Sequence, residues 1–143
     1  MKNIRFRTRL SWDGQSGAEI SIGNLPHLKL DMPIRFGGRG RYPCPDELFL
    51  SSVAGCLLTT FLYFKRKLEV NVRSFDVSAT ERLVASSEGY RIAEVRATMY
   101  AKVKRSDEVK LRRCLQLAKE YCHITRSLER SFSIRITQKV NVI

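Results

Sequence analysis

The feature that most constrains this sequence is a run from Leu48 to Phe64 without a charged residue, although 28% of all 143 residues are charged. Pro45 suits the first turn of a helix, where its missing N–H costs nothing. Asp46 and Glu47 then place negative charge at the positive end of the helix dipole. We therefore expect a helix from Pro45 to about Leu68, buried on all sides. A small domain has difficulty surrounding such a helix, so the run also predicts a homodimer.

Length and composition indicate a single domain over residues 1–143, because a chain that is 43% hydrophobic can bury a sizeable core. The start, "MKNIRFRTRL", has no continuous apolar segment, so we expect no secretory signal and a cytoplasmic location. The uncharged run is slightly short for a membrane span and is interrupted by Ser, Thr and Gly. A core helix is therefore favoured, and no membrane partner is expected.

Alternating apolar residues predict six strands around two helices. The second helix ends near Cys122, and "SSEGY" predicts a hairpin between the fourth and fifth strands. The order βββ-α-ββ-α-β indicates an α+β fold with antiparallel sheets packed on a central apolar helix. The predicted strands lie at 2–10, 18–22, 28–32, 70–77, 95–103 and 132–137.

The cysteines pose the main chemical question. Cys56 lies at the centre of the uncharged run, either as an inert core residue or as a nucleophile in a dry pocket. Apolar surroundings disfavour a thiolate, so a reactive Cys56 needs a nearby cation. Cys122 is either a packing residue or a second thiol that condenses with an oxidised Cys56. Cys44 and Cys114 are interpreted as non-catalytic, and the spacing of the four predicts no metal site.

A family resemblance rests on two cysteine motifs. The segment "PDELFLSSVAGC", which ends at Cys56, resembles the first motif of the OsmC/Ohr family of osmotically inducible and organic hydroperoxide resistance proteins. The segment "AKEYCHITRSL" is similar to the second motif, a helix that ends in cysteine before a short polar segment. The loop "GGRGRYPCP" and the order of elements also fit, so the resemblance spans nearly the whole chain.

The resemblance implies a thiol-dependent peroxidase of the stress response, built as an intertwined homodimer. Cys56 would attack the terminal oxygen of an organic hydroperoxide and become a sulfenic acid. Cys122 would condense with it to a disulfide, which an external dithiol reduces. The resemblance implies no bound cofactor, metal or haem. An apolar pocket around Cys56 suits an organic substrate and strengthens the effect of one charged partner.

Two acids stand where the family has its activating glutamate. Ten residues before Cys56 the family has Glu, and this chain has Asp46 with Glu47 beside it. Ten residues of straight helix span about 15 Å. Either acid can therefore reach Cys56 only if the helix is broken or if the acid comes from the other subunit.

The activating arginine of the family is also displaced, because the early loop "SWDGQSG" contains none. Arg39, Arg41 and Arg126 are the candidates to replace it, and Arg41 is favoured because it lies closest to the helix start. His123 stands where family members often have Pro. A basic side chain there would lower the pKa of Cys122, although a surface histidine is the more common case.

The net charge of +12 supports a rival interpretation, because 26 Lys and Arg outnumber 14 Asp and Glu. Such a surface attracts polyanions. The chain would then be an OsmC-like protein without peroxidase activity that binds nucleic acid, or an anionic thioester or thiol ligand near Cys56. The few aromatic residues fall mostly at predicted core positions, which argues against a stacking platform for nucleic acid.

Overall fold

A computed structural model describes residues 2–143, and the chain divides between Phe49 and Leu50 into two compact units. The N-terminal unit carries a three-stranded antiparallel sheet in the order β1-β2-β3. A short 3-10 turn follows the sheet at Ile34–Phe36. The strands are β1 (Arg9–Trp12), β2 (Gly17–Ser21) and β3 (Leu28–Asp31).

The first strand differs from the prediction that it spans Lys2–Leu10. Its partner β2 is five residues long and pairs only with Arg9–Trp12, so the alternating residues before Arg9 extend beyond the end of β2. Ile4 and Phe6 in that segment are 75% and 93% exposed. The alternating pattern is real, but within this chain the segment forms no strand.

Helix α1 (Pro45–Lys67) agrees with the predicted bounds to within one residue. In the single chain it buries one face only, so the expectation of burial on all sides is wrong for the isolated chain. Among residues 2–143, α1 is the helix whose length and composition would allow a membrane crossing, a test that core helices of soluble proteins also pass. The buried side chains recur at helical spacing: Val53, Cys56, Leu57 and Phe61.

The C-terminal unit places a second three-stranded sheet beside its helices. A two-residue turn joins the fourth and fifth strands into the predicted antiparallel hairpin. A 3-10 turn at Arg105–Asp107 precedes the second α-helix. The elements are β4 (Ser74–Ser86), β5 (Gly89–Val103), α2 (Glu108–Tyr121), α3 (His123–Leu128) and β6 (Ser133–Val142).

The predicted element order is confirmed with one addition and one correction. The addition is the short helix α3, which follows directly on Cys122. The correction concerns β6, which pairs with β5 in parallel rather than antiparallel, with Ala97 opposite Ile136. Parallel neighbours need a crossover connection, and α2 with α3 supplies it between β5 and β6.

The core of the C-terminal unit lies between one face of the sheet and the two long helices. Alternate residues of β5 face the core, and α2 contributes residues at helical spacing. Both cysteines predicted to react, Cys56 and Cys122, lie in this same core. Its buried members are Cys56, Leu57, Phe61, Val70, Ala97, Met99, Ala101, Val103, Leu111, Cys114, Leu115, Ala118 and Cys122.

Candidate active site at Cys56 and Cys122

Cys56 occupies the middle of α1 on its buried face. Its side chain retains 7% exposure, whereas that of Cys122 retains none. The Cys56 Sγ atom lies 3.7 Å from Nδ1 of His123, within hydrogen-bond range for sulfur. The main-chain carbonyl of Cys56 accepts a hydrogen bond from the Thr60 hydroxyl at 2.6 Å. The thiol therefore has an imidazole neighbour that can exchange a proton with it.

Cys122 lies at the break between α2 and α3. Its extended backbone, with φ −66° and ψ 103°, ends α2 and lets the chain turn into α3. Its N–H still donates to the Ala118 carbonyl at 3.1 Å, and its own carbonyl accepts from the N–H of Arg126 at 3.1 Å. The hydroxyl of the buried Thr125 donates to the same carbonyl at 3.2 Å. The backbone N–H and carbonyl of Cys122 are thus both hydrogen-bonded at the break between the helices, which holds Cys122 in the core.

Cys56 and Cys122 are both free and lie in the same buried core, where the Cys56 thiol acts on the pKa of Cys122. Burial raises the pKa of the Cys122 thiol, Thr125 opposes this through hydrogen bonds, and the Cys56 thiol raises it further. Cys122 therefore stays protonated at neutral pH, which makes it a poor first nucleophile. Of the two, Cys56 is better placed to react first, because it keeps some exposure and faces an imidazole.

His123 is a surface histidine, which is the case that the sequence favoured. It is exposed, but its Nδ1 faces Cys56 rather than solvent alone. It does not lower the pKa of Cys122, which burial raises. The contact joins residues 67 positions apart. The signal available in the sequence was its position directly after Cys122, the residue that the resemblance already placed near Cys56.

Arg41, the favoured activator, is bound to two carboxylates within the N-terminal unit. Its Nε donates to Asp31 at 2.7 Å and its Nη2 donates to Asp13 at 2.6 Å. A further hydrogen bond at 3.1 Å reaches the side-chain oxygen of Gln15. Asp31 is completely buried, and the Arg41 guanidinium holds the pKa of that carboxyl well below its usual range. The positive charge of Arg41 is thus balanced inside its own unit.

The two other candidate arginines have different neighbours. The Arg39 guanidinium donates to the Gln15 side chain, and its backbone N–H donates to the Ser16 hydroxyl at 3.1 Å. Arg126 is exposed and, with Glu129, lines a cavity of about 290 Å³ beside β6. The activation of Cys56 by any of the three arginines remains a prediction.

The two candidate acids lie in the first turn of α1. Glu47 accepts a hydrogen bond from the Cys44 N–H at 3.1 Å, and the Cys44 N–H and thiol lower the pKa of Glu47. This contact secures the helix start. Because α1 continues without a break from Pro45 to Lys67, about 15 Å of helix separates Asp46 from Cys56. The helix is therefore not broken, and a role of either acid at Cys56 stays a prediction.

The other two cysteines have structural surroundings. Cys44 is half-buried beside Glu47, and Cys114 is completely buried in α2. Burial raises the pKa of the Cys114 thiol, which disfavours a nucleophilic role. Across residues 2–143 the structure contains no group of three or more His, Cys, Asp or Glu side chains arranged to hold a metal ion.

Comparison with known proteins identifies the family. The family model described as OsmC-like protein matches residues 38–137, which include Cys56, Cys122 and His123. The chain belongs to the OsmC-like family. No curated protein matches it. The two motifs around Cys56 and Cys122 therefore carried a correct family prediction.

Solved structures of OsmC-like proteins share the fold at low sequence identity. An OsmC-like protein from Mycoplasma pneumoniae has a TM-score of 0.79 and 14% identity, and the alignment covers 99% of each chain. An organic hydroperoxide resistance protein OsmC from Legionella pneumophila has a TM-score of 0.73 and 18% identity, covering 97% of this chain and 99% of its own. An organic hydroperoxide resistance protein from Elizabethkingia anophelis, with thiocyanate bound, has a TM-score of 0.72 and 14% identity. The alignment covers 99% of this chain and 100% of that protein. These likenesses establish the fold.

Proposed function

We propose that this protein is a thiol-dependent peroxidase that reduces organic hydroperoxides through Cys56 and Cys122. The observation that carries the proposal is that both free thiols lie in one buried apolar core, with the Cys56 thiol acting on the pKa of Cys122. Two free thiols that share one small core are candidates to be joined by a disulfide. The family supports the same chemistry, since relatives of this fold are named as organic hydroperoxide resistance proteins.

The reaction follows from the unequal surroundings of the two thiols. The Cys56 thiolate attacks the terminal oxygen of the hydroperoxide, an S–O bond forms, the O–O bond breaks, and an alkoxide leaves. Cys56 is oxidised to a sulfenic acid while the peroxide is reduced to an alcohol. The Cys122 sulfur then attacks the Cys56 sulfur, which forms the disulfide and releases water. An external dithiol reduces the disulfide and restores both thiols.

The surroundings of Cys56 favour an organic substrate over hydrogen peroxide. Cys56 packs in the same core as Leu57, Phe61 and Met99, so the alkyl or aryl group of a substrate would meet apolar side chains next to the thiol. Burial of apolar surface contributes about 25 cal/mol per Å². We therefore expect a lower KM for tert-butyl or cumene hydroperoxide than for hydrogen peroxide.

Peroxide consumption by the purified protein with dihydrolipoamide as the reductant tests the proposal. Turnover should disappear in Cys56→Ser. In Cys122→Ser a single oxidation should still occur and leave a sulfenic acid that dimedone traps. An equimolar amount of hydroperoxide should lower the free thiols of the wild-type protein from four to two. Cys44→Ser is the matched control, since Cys44 lies at the helix start, and it should keep full turnover. Turnover that survives in Cys56→Ser would contradict the proposed roles.

We further propose that the working form is a homodimer. The N-terminal unit exposes large apolar side chains, among them Phe6 at 93% and Trp12 at 76%. Exposed apolar side chains of this size are common at association sites, and the family resemblance implies a second copy as the occupant. Sedimentation equilibrium should give twice the mass of the chain. Phe6→Glu should raise the dissociation constant at least about tenfold, whereas Val109→Glu, which alters an exposed residue of α2, should not.

Binding of nucleic acid is the second candidate function. The charges on the outer face of the C-terminal sheet help to judge it. The outer face of the C-terminal sheet carries basic side chains, but Glu94 pairs with both Arg96 and Arg135 at 3.1 Å. On the same sheet the Nζ atom of Lys139 lies over the ring of Tyr100, 5.5 Å from its centroid. The face is therefore not uniformly positive, which favours the peroxidase. Affinity for RNA or DNA that falls steeply with salt, without peroxide turnover, would reverse this preference.

A further inference from the structure

We propose that His123 is the proton acceptor and donor for Cys56 in this protein. The inference rests on the proposed peroxidase function and names the group that activates its nucleophile. The observation is the separation of 3.7 Å between the Cys56 Sγ atom and His123 Nδ1. An unprotonated imidazole nitrogen at this distance accepts a proton from a thiol, which leaves a thiolate beside an imidazolium.

The local fold explains why this residue holds that position. The extended backbone of Cys122 ends α2, and His123 begins α3. The His123 carbonyl accepts a hydrogen bond from the Ser127 hydroxyl at 2.7 Å, which fixes the first turn of α3. One helix break therefore brings two consecutive residues to Cys56, namely the thiol that forms the disulfide and the imidazole that takes the proton.

Two nearby lysines have other surroundings, which supports His123 as the group that exchanges a proton with Cys56. Lys65 of α1 acts on Cys114 in the core. Lys119 of α2, together with Arg126 and Glu129, lines the cavity beside β6. Among residues 2–143, the ionisable side chains that the structure relates to the Cys56 thiol are those of His123 and Cys122. Since burial raises the pKa of Cys122, the second thiol does not compete as a base.

The proton path balances over the first half-reaction. His123 Nδ1 takes the Cys56 proton, and the thiolate attacks the terminal peroxide oxygen. The O–O bond breaks, and the departing alkoxide takes the proton back from the imidazolium to leave as an alcohol. Cys56 is left as a sulfenic acid and His123 is neutral again. Because His123 is exposed, water can also exchange protons with the ring between turnovers.

The test compares His123→Asn with His27→Asn. Asparagine keeps the polarity and approximate size of the side chain but cannot take a proton at neutral pH. His27 is the other histidine of the chain and lies 3.7 Å from Glu19 in the N-terminal unit. Two rates are measured: consumption of tert-butyl hydroperoxide, and labelling of the Cys56 peptide by iodoacetamide as a function of pH. Circular dichroism confirms folding, and His123→Gln replaces His123→Asn if the latter does not fold.

In His123→Asn we expect both rates at about pH 7 to fall by about a hundredfold or more, the range that acid–base catalysis contributes. Labelling should recover at alkaline pH, where hydroxide removes the thiol proton without help. His27→Asn should leave both rates unchanged. Equal labelling curves for His123→Asn and wild type would overturn the role of His123. If both proteins then also consume tert-butyl hydroperoxide, the proposed peroxidase function would still hold. A wild type that does not consume peroxide would instead remove the proposed function, and labelling would still report on His123.

Discussion

The two units of the chain bury different kinds of side chain. In residues 2–49 the buried residues are Gly17, Ile20 and Asp31, so the one large apolar side chain among them is that of Ile20. The C-terminal unit instead buries a continuous apolar core that contains both Cys56 and Cys122. The comparison indicates why Cys56 and Cys122 lie in the second unit. In a dry environment one polar neighbour has a larger effect on the pKa of a thiol.

The basic side chains of the two units are held in correspondingly different ways. Arg41 donates to two carboxylates, one of them completely buried, so its charge is fixed and balanced. His123 is exposed and makes a longer contact, 3.7 Å, with the Cys56 thiol. A balanced ion pair organises a loop, whereas a weakly held imidazole can gain and lose a proton. This difference favours His123 over Arg41 as the group that acts on Cys56.

The largest expected effect on stability comes from a substitution in the apolar core of the C-terminal unit. Phe61 is completely buried and stacks on Phe75 with ring centroids 3.8 Å apart. Phe61→Ala should lower the free energy of unfolding by about 3–5 kcal/mol, because it removes buried surface and leaves a cavity. Urea denaturation at fixed protein concentration measures it. Val109→Ala, at a residue that is 82% exposed, is the control and should change stability by less than about 0.5 kcal/mol. Equal losses in the two variants would show that the core described here does not dominate stability.

A smaller effect on stability is expected from the ion pair between Arg41 and Asp31 in the N-terminal unit. Because Arg41 lowers the pKa of Asp31 in the folded state, the pair contributes stability above the ordinary carboxyl value of about 3.9, and this is lost as the pH falls further. Arg41→Gln should lower Tm at neutral pH by less than Phe61→Ala, since Arg41 is partly exposed. Its Tm should also fall less steeply between about pH 5 and pH 2 than that of the wild type. Parallel curves for the two proteins would mean that the pair does not stabilise the folded state.

The smallest effect is expected from a polar contact inside the apolar unit. Thr60→Val removes the hydroxyl that donates to the Cys56 carbonyl. The loss should be below about 1 kcal/mol, because a helix carbonyl keeps its backbone hydrogen bond when a side-chain donor is removed. Thermal unfolding measures the change, and iodoacetamide labelling of Cys56 should stay at the wild-type rate. Slower labelling would show that this hydroxyl helps to position Cys56.

By itself the sequence determined the order of the elements, the bounds of α1 and the family, because periodicity, helix signals and the motifs at Cys56 and Cys122 are all local patterns. Only the tertiary structure decided that β6 runs parallel to β5, that Arg41 is bound by Asp31 and Asp13, and that His123 faces Cys56. Each of these depends on contacts between distant parts of the chain. Local periodicity places a residue on a face of its own element, but it does not state which residue of another element that face will meet.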